Sequence, residues 1–421
     1  MKKILISVLS LSLIFSGCGQ ISPKNENIES PTGDTTVTAM SPAYQETETE
    51  PVSAPDFSHT SQADYVSMSF ERRHFETFDQ ETGEKLLLNF DAAWPLVMIS
   101  DNPDASEKIT AALREDSSRF IKGYREEGDL YTPMGQEKAA EYAREDYPMR
   151  GDDFLPYAVE RTYEITRGDD AVLSVMAQDY MYMGGAHGSC MRKYLVFDTK
   201  TGDRLSFSDL SEGPNGLWAK IMEVVRTLAA EDPDISGRIN LEENQLEAAL
   251  AALIRDGSWF FEGDFLMLES QEYELGAYAA GMVRFPMSME DLKNDLKEKY
   301  RPAHQERGDL ILTEKTDLLA IDLIQQGEYP AELYLEAGNP VTHVKVFTLE
   351  PYANGEDIHR GRVLWAAGQM KNCALQLLVE VPELIPNLGV EYVGVDGAPH
   401  TYAIAQSGED GHYFLMELDL Y

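Results

Sequence analysis

The chain has 421 residues and carries 35 lysines and arginines against 73 aspartates and glutamates, a formal net charge of -38. That acidic excess argues against nucleic acid or an anionic lipid surface as a partner, since both would be repelled. It suits cationic proteins, peptides or calcium, and it also serves solubility alone. The cysteines, Cys18, Cys190 and Cys373, are too few and too scattered for a stapled scaffold or a thiolate metal site, so Cys190 and Cys373 either stay free or bridge two distant segments.

The first stretch, "MKKILISVLSLSLIFSGCGQ", places two lysines before a short apolar run that ends in Ser16, Gly17 and Cys18. This order predicts a secretion signal over residues 1–18, and small residues before a cysteine make it a lipoprotein signal that leaves Cys18 lipidated. The protein is then expected on the outer face of the cell membrane, held by a lipid anchor. Phe15 stands where such signals more often have leucine. Residues 19–62 are rich in Ser, Thr, Pro and Glu, cannot bury enough apolar surface to offset their ordering entropy, and predict an acidic disordered tether.

Beyond the tether, "KLLLNFD" and "WPLVMIS" read as strands separated by Ala92 and Ala93. "DASEKITAALREDSSRFIKGYREEG" places Ile109, Leu113 and Phe120 on one face of an amphipathic helix, and "GQEKAAEYAREDY" is a second, more polar one. "YAVERTYEIT" and "AVLSVMAQDYMYM" are strands joined by "RGDD", and "CMRKYLVFDTKTGDRLSFSDL" continues as strand, turn and strand. Two helices follow, then strands in "SWFFEGDFLMLE" and "AAGMVRFP". Ser288, three residues before Asp291, predicts the start of a closing helix over "SMEDLKNDLKEKY". From residue 309 the pattern changes to evenly spaced short alternating runs, which predict a sandwich-like sheet structure. The fold class is therefore α+β: one domain over 63–188, a second over 189–303, and a β-rich C-terminal domain over 309–421.

Two motifs could carry chemistry. In "YMYMGGAHGSC", His187 sits among glycines. A general base needs an orienting partner and a zinc ion needs at least three ligands, yet no H-x-x-x-H pair, H-E-x-x-H helix or G-x-S-x-G elbow is present. Glycines that permit tight backbone, and a histidine that bonds backbone groups, suit a bend better. The second motif, "DPDISGRINLEE", fits a calcium loop, with Asp232, Asp234, Ser236, Arg238, Asn240 and Glu243 at the six ligand positions and Gly237 at the turn. Glu231 and Asn244, however, stand where packing residues are expected, and Asn240 with Glu243 also reads as a helix cap.

Gly184, Gly185, Ala186, His187 and Gly188 recur with Phe197, Asp198, Thr201, Gly202, Leu205, Asp209 and Leu210, and then with Tyr273, Glu274, Tyr278, Ala279, Ala280 and Gly281. This order resembles the paired extracellular domains of unknown function of the anti-sigma factor RsiV and of the N-terminal region of the peptidoglycan deacetylase PdaC. The resemblance covers roughly residues 65–300. Ala277 replaces the usual proline and Ser211 the usual aromatic. Nothing in the chain resembles the deacetylase domain itself.

The resemblance implies the binding or sensing half of such proteins, with Gly184, Gly185, His187, Gly188, Asp198, Tyr273 and Tyr278 as candidate binding residues. In RsiV this region binds lysozyme, which suggests a cell-envelope or host protein as ligand. The leading expectation is a non-catalytic surface protein with a cationic protein or peptidoglycan ligand and no cofactor. A peptidoglycan-associated enzyme accessory or hydrolase, and a calcium-stabilised structural module, are the alternatives.

Overall fold

A computed structural model describes residues 63–125, 131–301, 307–327, 330–351, 358–381, 386–408 and 411–418. The expected signal, Cys18 and the tether lie outside the described residues. Among the described residues, no helix is long and apolar enough to cross a membrane.

The first strands form a long hairpin, β1 (Asp64–Phe78) and β2 (Leu86–Ile99), whose turn is set by the Asp79 carboxylate accepting the amides of Glu81, Thr82 and Lys85. The chain does not break at Ala92 and Ala93, because both alanines are buried and let β2 run on beneath a helix. That helix, α1 (Pro103–Lys122), starts at Asn102, which accepts the Ala105 amide, and ends at Gly123 in left-handed backbone. Its buried hydroxyls meet β2: Thr110 accepts the Val97 amide at 2.9 Å, and Ser117 donates to the Ala93 carbonyl at 2.8 Å. Helix α2 (Gln136–Arg150) lays Ala139, Ala140 and Ala143 into the core formed by Phe90, Phe120, Tyr157 and Val159.

Strand β3 (Tyr157–Gly168) runs parallel to β2, and β4 (Val172–Tyr182) and β5 (Ser189–Asp198) complete an antiparallel meander. The boundary drawn at residues 188 and 189 falls inside the β4–β5 hairpin, whose ladder is continuous from Val172–Asp198 to Met181–Ser189. Next come α3 (Pro214–Glu231), a single helical turn α4 (Pro233–Ser236) and α5 (Glu243–Leu253). A small antiparallel sheet follows: β6 (Trp259–Glu262), β7 (Phe265–Glu269) and β8 (Arg284–Ser288). Leu217, Ile221 and Val225 of α3 pack with Phe260, Leu266 and Phe285, and Tyr194 and Val196 of β5 belong to the same core.

The closing helix does not form. Leu292, Leu296 and Tyr300 are buried at helical spacing, but the Lys297 amide donates to the Leu210 carbonyl rather than back along its own chain, so only turns and one short 3-10 segment remain. Ser288 accepts the Glu290 amide as a turn residue.

The remainder is all strand: β9 (Ile311–Thr313), β10 (Leu319–Gln326), β11 (Ala331–Ala337), β12 (Val341–Pro351), β13 (Ile358–Lys371), β14 (Cys373–Val379), β15 (Leu388–Val393), β16 (Pro399–Gln406) and β17 (Tyr413–Glu417). A four-stranded sheet, β10-β14-β11-β9, offers Leu333, Leu335, Leu375 and Leu377 to Val344, Val346, Trp365 and Val390 of a second sheet. The α+β class and the β-rich, sandwich-like C-terminal region thus stand as the sequence suggests.

That second sheet does not stop at the C-terminal region. Its ten strands run β17-β16-β15-β12-β13-β1-β2-β3-β4-β5, because β13 pairs with β1 from Asp64–Lys371 to Ser69–Trp365. Where the end of β3 meets β13, Gly168 and Gly368 touch backbone to backbone. Cys190 and Cys373 are buried thiols on β5 and β14 and form no disulfide.

Candidate functional site: the loop after β4 and its docking segment

The turn between β4 and β5 rests on residues 271–281, which follow β7. Gln271 acts as an extra rung on the open edge of β5, accepting the Arg192 amide at 2.9 Å and donating to the Arg192 carbonyl at 2.8 Å. The Glu272 carboxylate accepts the Cys190 amide at 3.3 Å. Burial raises the Glu272 carboxyl above its ordinary range, and that amide and His187 offset part of the effect.

Gly188 is the hub. Its carbonyl accepts from His187 Nδ1 at 2.8 Å and from the Tyr278 hydroxyl at 3.2 Å, which fixes the imidazole with its proton on Nδ1. A Cβ at Gly188 would lie 2.5 Å from the Tyr180 ring, so only glycine fits. Gly184 is in left-handed backbone at φ 83°, with the Arg150 guanidinium packed against it. Arg150 is held in turn by Asp146, which also accepts the Tyr157 hydroxyl at 2.6 Å.

The result is a short ladder of rings. His187 stacks on Tyr278 with centroids 3.9 Å apart and planes 16° apart, and Tyr273 lies 5.7 Å beyond. His187 is exposed and Tyr273 is 62% exposed, although Tyr273 sits at φ 65°. Left-handed backbone is unfavourable for a bulky residue, and this ring does not offset the strain by burying itself.

The structure thus brings Gly184, Gly185, His187, Gly188, Tyr273 and Tyr278 together. Asp198 lies apart, at the far end of β5, where its carboxylate accepts the amides of Lys200 and Thr201 and pairs with Lys299 at 2.8 Å. Burial works to raise the Asp198 carboxyl, but Lys299 and the two amides hold it below the ordinary range. It shapes the "DTKTGD" turn and not the ring cluster. Gln271, Glu272 and Arg150 are members that pattern reading did not single out. Only a signal of pairing between residues some eighty positions apart could have found Gln271 and Glu272.

Asp179, the neighbouring acid on β4, does not orient His187. It grips Arg161 of β3 through two bonds of 2.5 and 2.6 Å. Arg161 also donates to the Asp116 carboxylate at 2.7 Å. Lys193 at 3.2 Å and the Tyr163 hydroxyl at 2.8 Å complete this buried network under α1. Burial pushes the Asp116 carboxyl up, but Arg161 and Lys193 outweigh it and hold the group below its ordinary range. The cavity beside this network, lined by Arg119, Phe120 and Tyr124 among others, measures about 20 Å³, room for a single water rather than an organic ligand.

Over its described residues the calcium-loop motif folds into a helix cap and backbone turns. The Asp232 carboxylate caps α4 by accepting the amides of Asp234 and Ile235, and Gly237 is right-handed at φ -66°. Asn240 donates its amide to the Leu275 carbonyl, and Glu242 rather than Asn240 is the residue before α5. Among the described residues, no cluster of three or more His, Cys, Asp or Glu is placed to hold a metal ion. The Tm is therefore expected to be the same in calcium and in chelator, and Asp232→Ala to cost up to about 1 kcal/mol as a lost cap under both conditions. A calcium-dependent rise in Tm that Glu243→Gln abolishes would overturn this.

Residues 81–190 match the family model described as Deacetylase PdaC, a range that holds the glycine-histidine turn and ends before Tyr273. Two solved structures that resemble the fold are DUF3298 family proteins. The one from Bacteroides fragilis has 14% identity and a TM-score of 0.39, covering 56% of this chain and 95% of its own. The one from Pseudomonas aeruginosa has 17% identity and a TM-score of 0.36, covering 56% and 98%. No curated protein matches the chain.

Proposed function

We propose that this PdaC-like chain is a non-catalytic, lipid-anchored surface protein that binds a cationic protein of the cell envelope or the host, through the ring ladder of His187, Tyr278 and Tyr273. The carrying observation is Tyr273, a tyrosine held in unfavourable backbone with most of its ring in solvent. Strained backbone clusters at binding and catalytic sites, and the largely exposed Tyr273 recovers little of its strain by packing against Tyr278. An exposed tyrosine face attracts a guanidinium or ammonium group, and a net charge of -38 steers such a partner in. His187 spends its Nδ1 proton on the Gly188 carbonyl, Asp179 is committed to Arg161, and the nearby Glu272 carboxylate accepts the Cys190 amide, an arrangement that favours binding over general-base work.

The test is a titration of the purified protein with lysozyme at low and high salt, with peptidoglycan fragments as a parallel ligand. Saturable binding that weakens with salt is expected. Tyr273→Asn, which tolerates left-handed backbone, should lose at least tenfold in affinity while keeping the fold's stability or gaining up to about 1 kcal/mol. Absence of saturable, salt-sensitive binding to lysozyme would sink the cationic-protein reading. Turnover of the fragments that His187→Ala abolishes without lowering Tm would replace it with an enzymatic one.

A further inference from the structure

We infer that the seam between the C-terminal strands and β3 is a pH-sensitive latch that loosens as the surroundings acidify, with His343 as the trigger. His343 lies on β12 at an irregular point: His343 and Val344 stand opposite the single residue Tyr392 of β15, a bulge that re-aims the side chain. Its backbone is left-handed at φ 55°, and its Nε2 donates across the seam to the Thr166 carbonyl of β3 at 3.1 Å. Nδ1 is therefore the unprotonated nitrogen, and it is buried with no hydrogen-bond partner among the described residues.

Protonation would place a proton on Nδ1 where no acceptor waits. The charged groups around the imidazole are Lys345 on the same strand, Arg307 before β9, and Glu391 on β15. The one anion among them is already shared, since Glu391 pairs with Lys345 and with Arg360 of β13, each within 3.3 Å. Glu164 of β3 is likewise engaged by Lys345. An added positive charge would thus face two cations and no spare carboxylate. Burial first, and then Lys345, push the His343 imidazole below its ordinary range.

The sign follows from linkage. A histidine kept neutral in the closed form contributes its stability above the ordinary value near 6.5, and loses it as pH falls below that value. The opening constant of the seam should rise by up to about tenfold for each pH unit below that point, until the folded-state value is reached. The Gly168–Gly368 contact and the Lys345–Glu164 pair lie in the same seam, so loosening there would change how the C-terminal strands are held against the first half of the sheet.

Hydrogen exchange on the whole protein at pH 7.5, 6.5 and 5.5, corrected for intrinsic rates, tests this. Protection in β12 and at the end of β3 should fall about tenfold between pH 7.5 and 5.5, most of it below pH 6.5, while α1 holds. His343→Asn, which accepts left-handed backbone and does not titrate, should remove the fall. An unchanged wild type, or the same fall in the variant, overturns the latch. If the variant does not fold, the nitrogen chemical shifts of the wild-type imidazole decide: titration at the ordinary histidine position overturns the proposal, and persistence of the Nε2–H neutral form below it supports it.

Discussion

Asp116→Ala is expected to remove about 3–5 kcal/mol of stability, read as a drop in the urea midpoint with the slope unchanged. The carboxylate serves Arg161, Lys193 and the Tyr163 hydroxyl at once, in a site where the partners are nearly sealed from water. Its removal takes away the carboxylate that Arg161 and Lys193 share, and the buried positive charge so exposed, rather than the lost attraction, sets the cost. The same site predicts an acid limb. Because the folded carboxyl is held below its ordinary range, its contribution is complete above about pH 4 and fades as pH falls through the folded value. The variant should lack that part of the acid response. A loss below about 1 kcal/mol would mean that water reaches the site and screens it.

Gly368→Ala should cost about 3 kcal/mol or more and should selectively expose the C-terminal strands to protease. An added Cβ would sit 2.2 Å from the Gly168 Cα and 2.4 Å from its nitrogen, so the clash is with backbone and no rotamer relieves it. The two strands must part, and β13 cannot move alone because it is laddered to β1 on one side and to β12 on the other. Gly338→Ala, in the loop between β11 and β12 with nothing within 4 Å of the added carbon, is the control and should be close to neutral. Equal Tm values for the two variants would show that the seam has slack.

The sequence by itself determined most of the local structure, because the signals for helices, strands and turns are local. Asn102 and Gly123 at the ends of α1, the alternation in β3, β4 and β5, and the Asp79 and Asp198 turns all follow from side chains acting within a few residues of themselves. The glycine-histidine turn was legible as a bend for the same reason, since Gly184 and Gly185 take the positive φ that glycine adopts freely and His187 bonds the carbonyl of the next residue.

The tertiary structure alone decided what those elements face. Alternation marks a strand as half-buried but does not name its neighbour, so the joining of β13 to β1, some three hundred residues apart, and the continuous sheet it makes from β1–β5 and five C-terminal strands left no local trace. The closing helix failed for the converse reason: its apolar spacing was right, but a backbone bond from Lys297 to Leu210 competed with the helix and won. The ring ladder belongs to this second kind. His187 and Tyr278 were each visible in the sequence, and only the docking of residues 271–281 on the edge of β5 stacked one on the other.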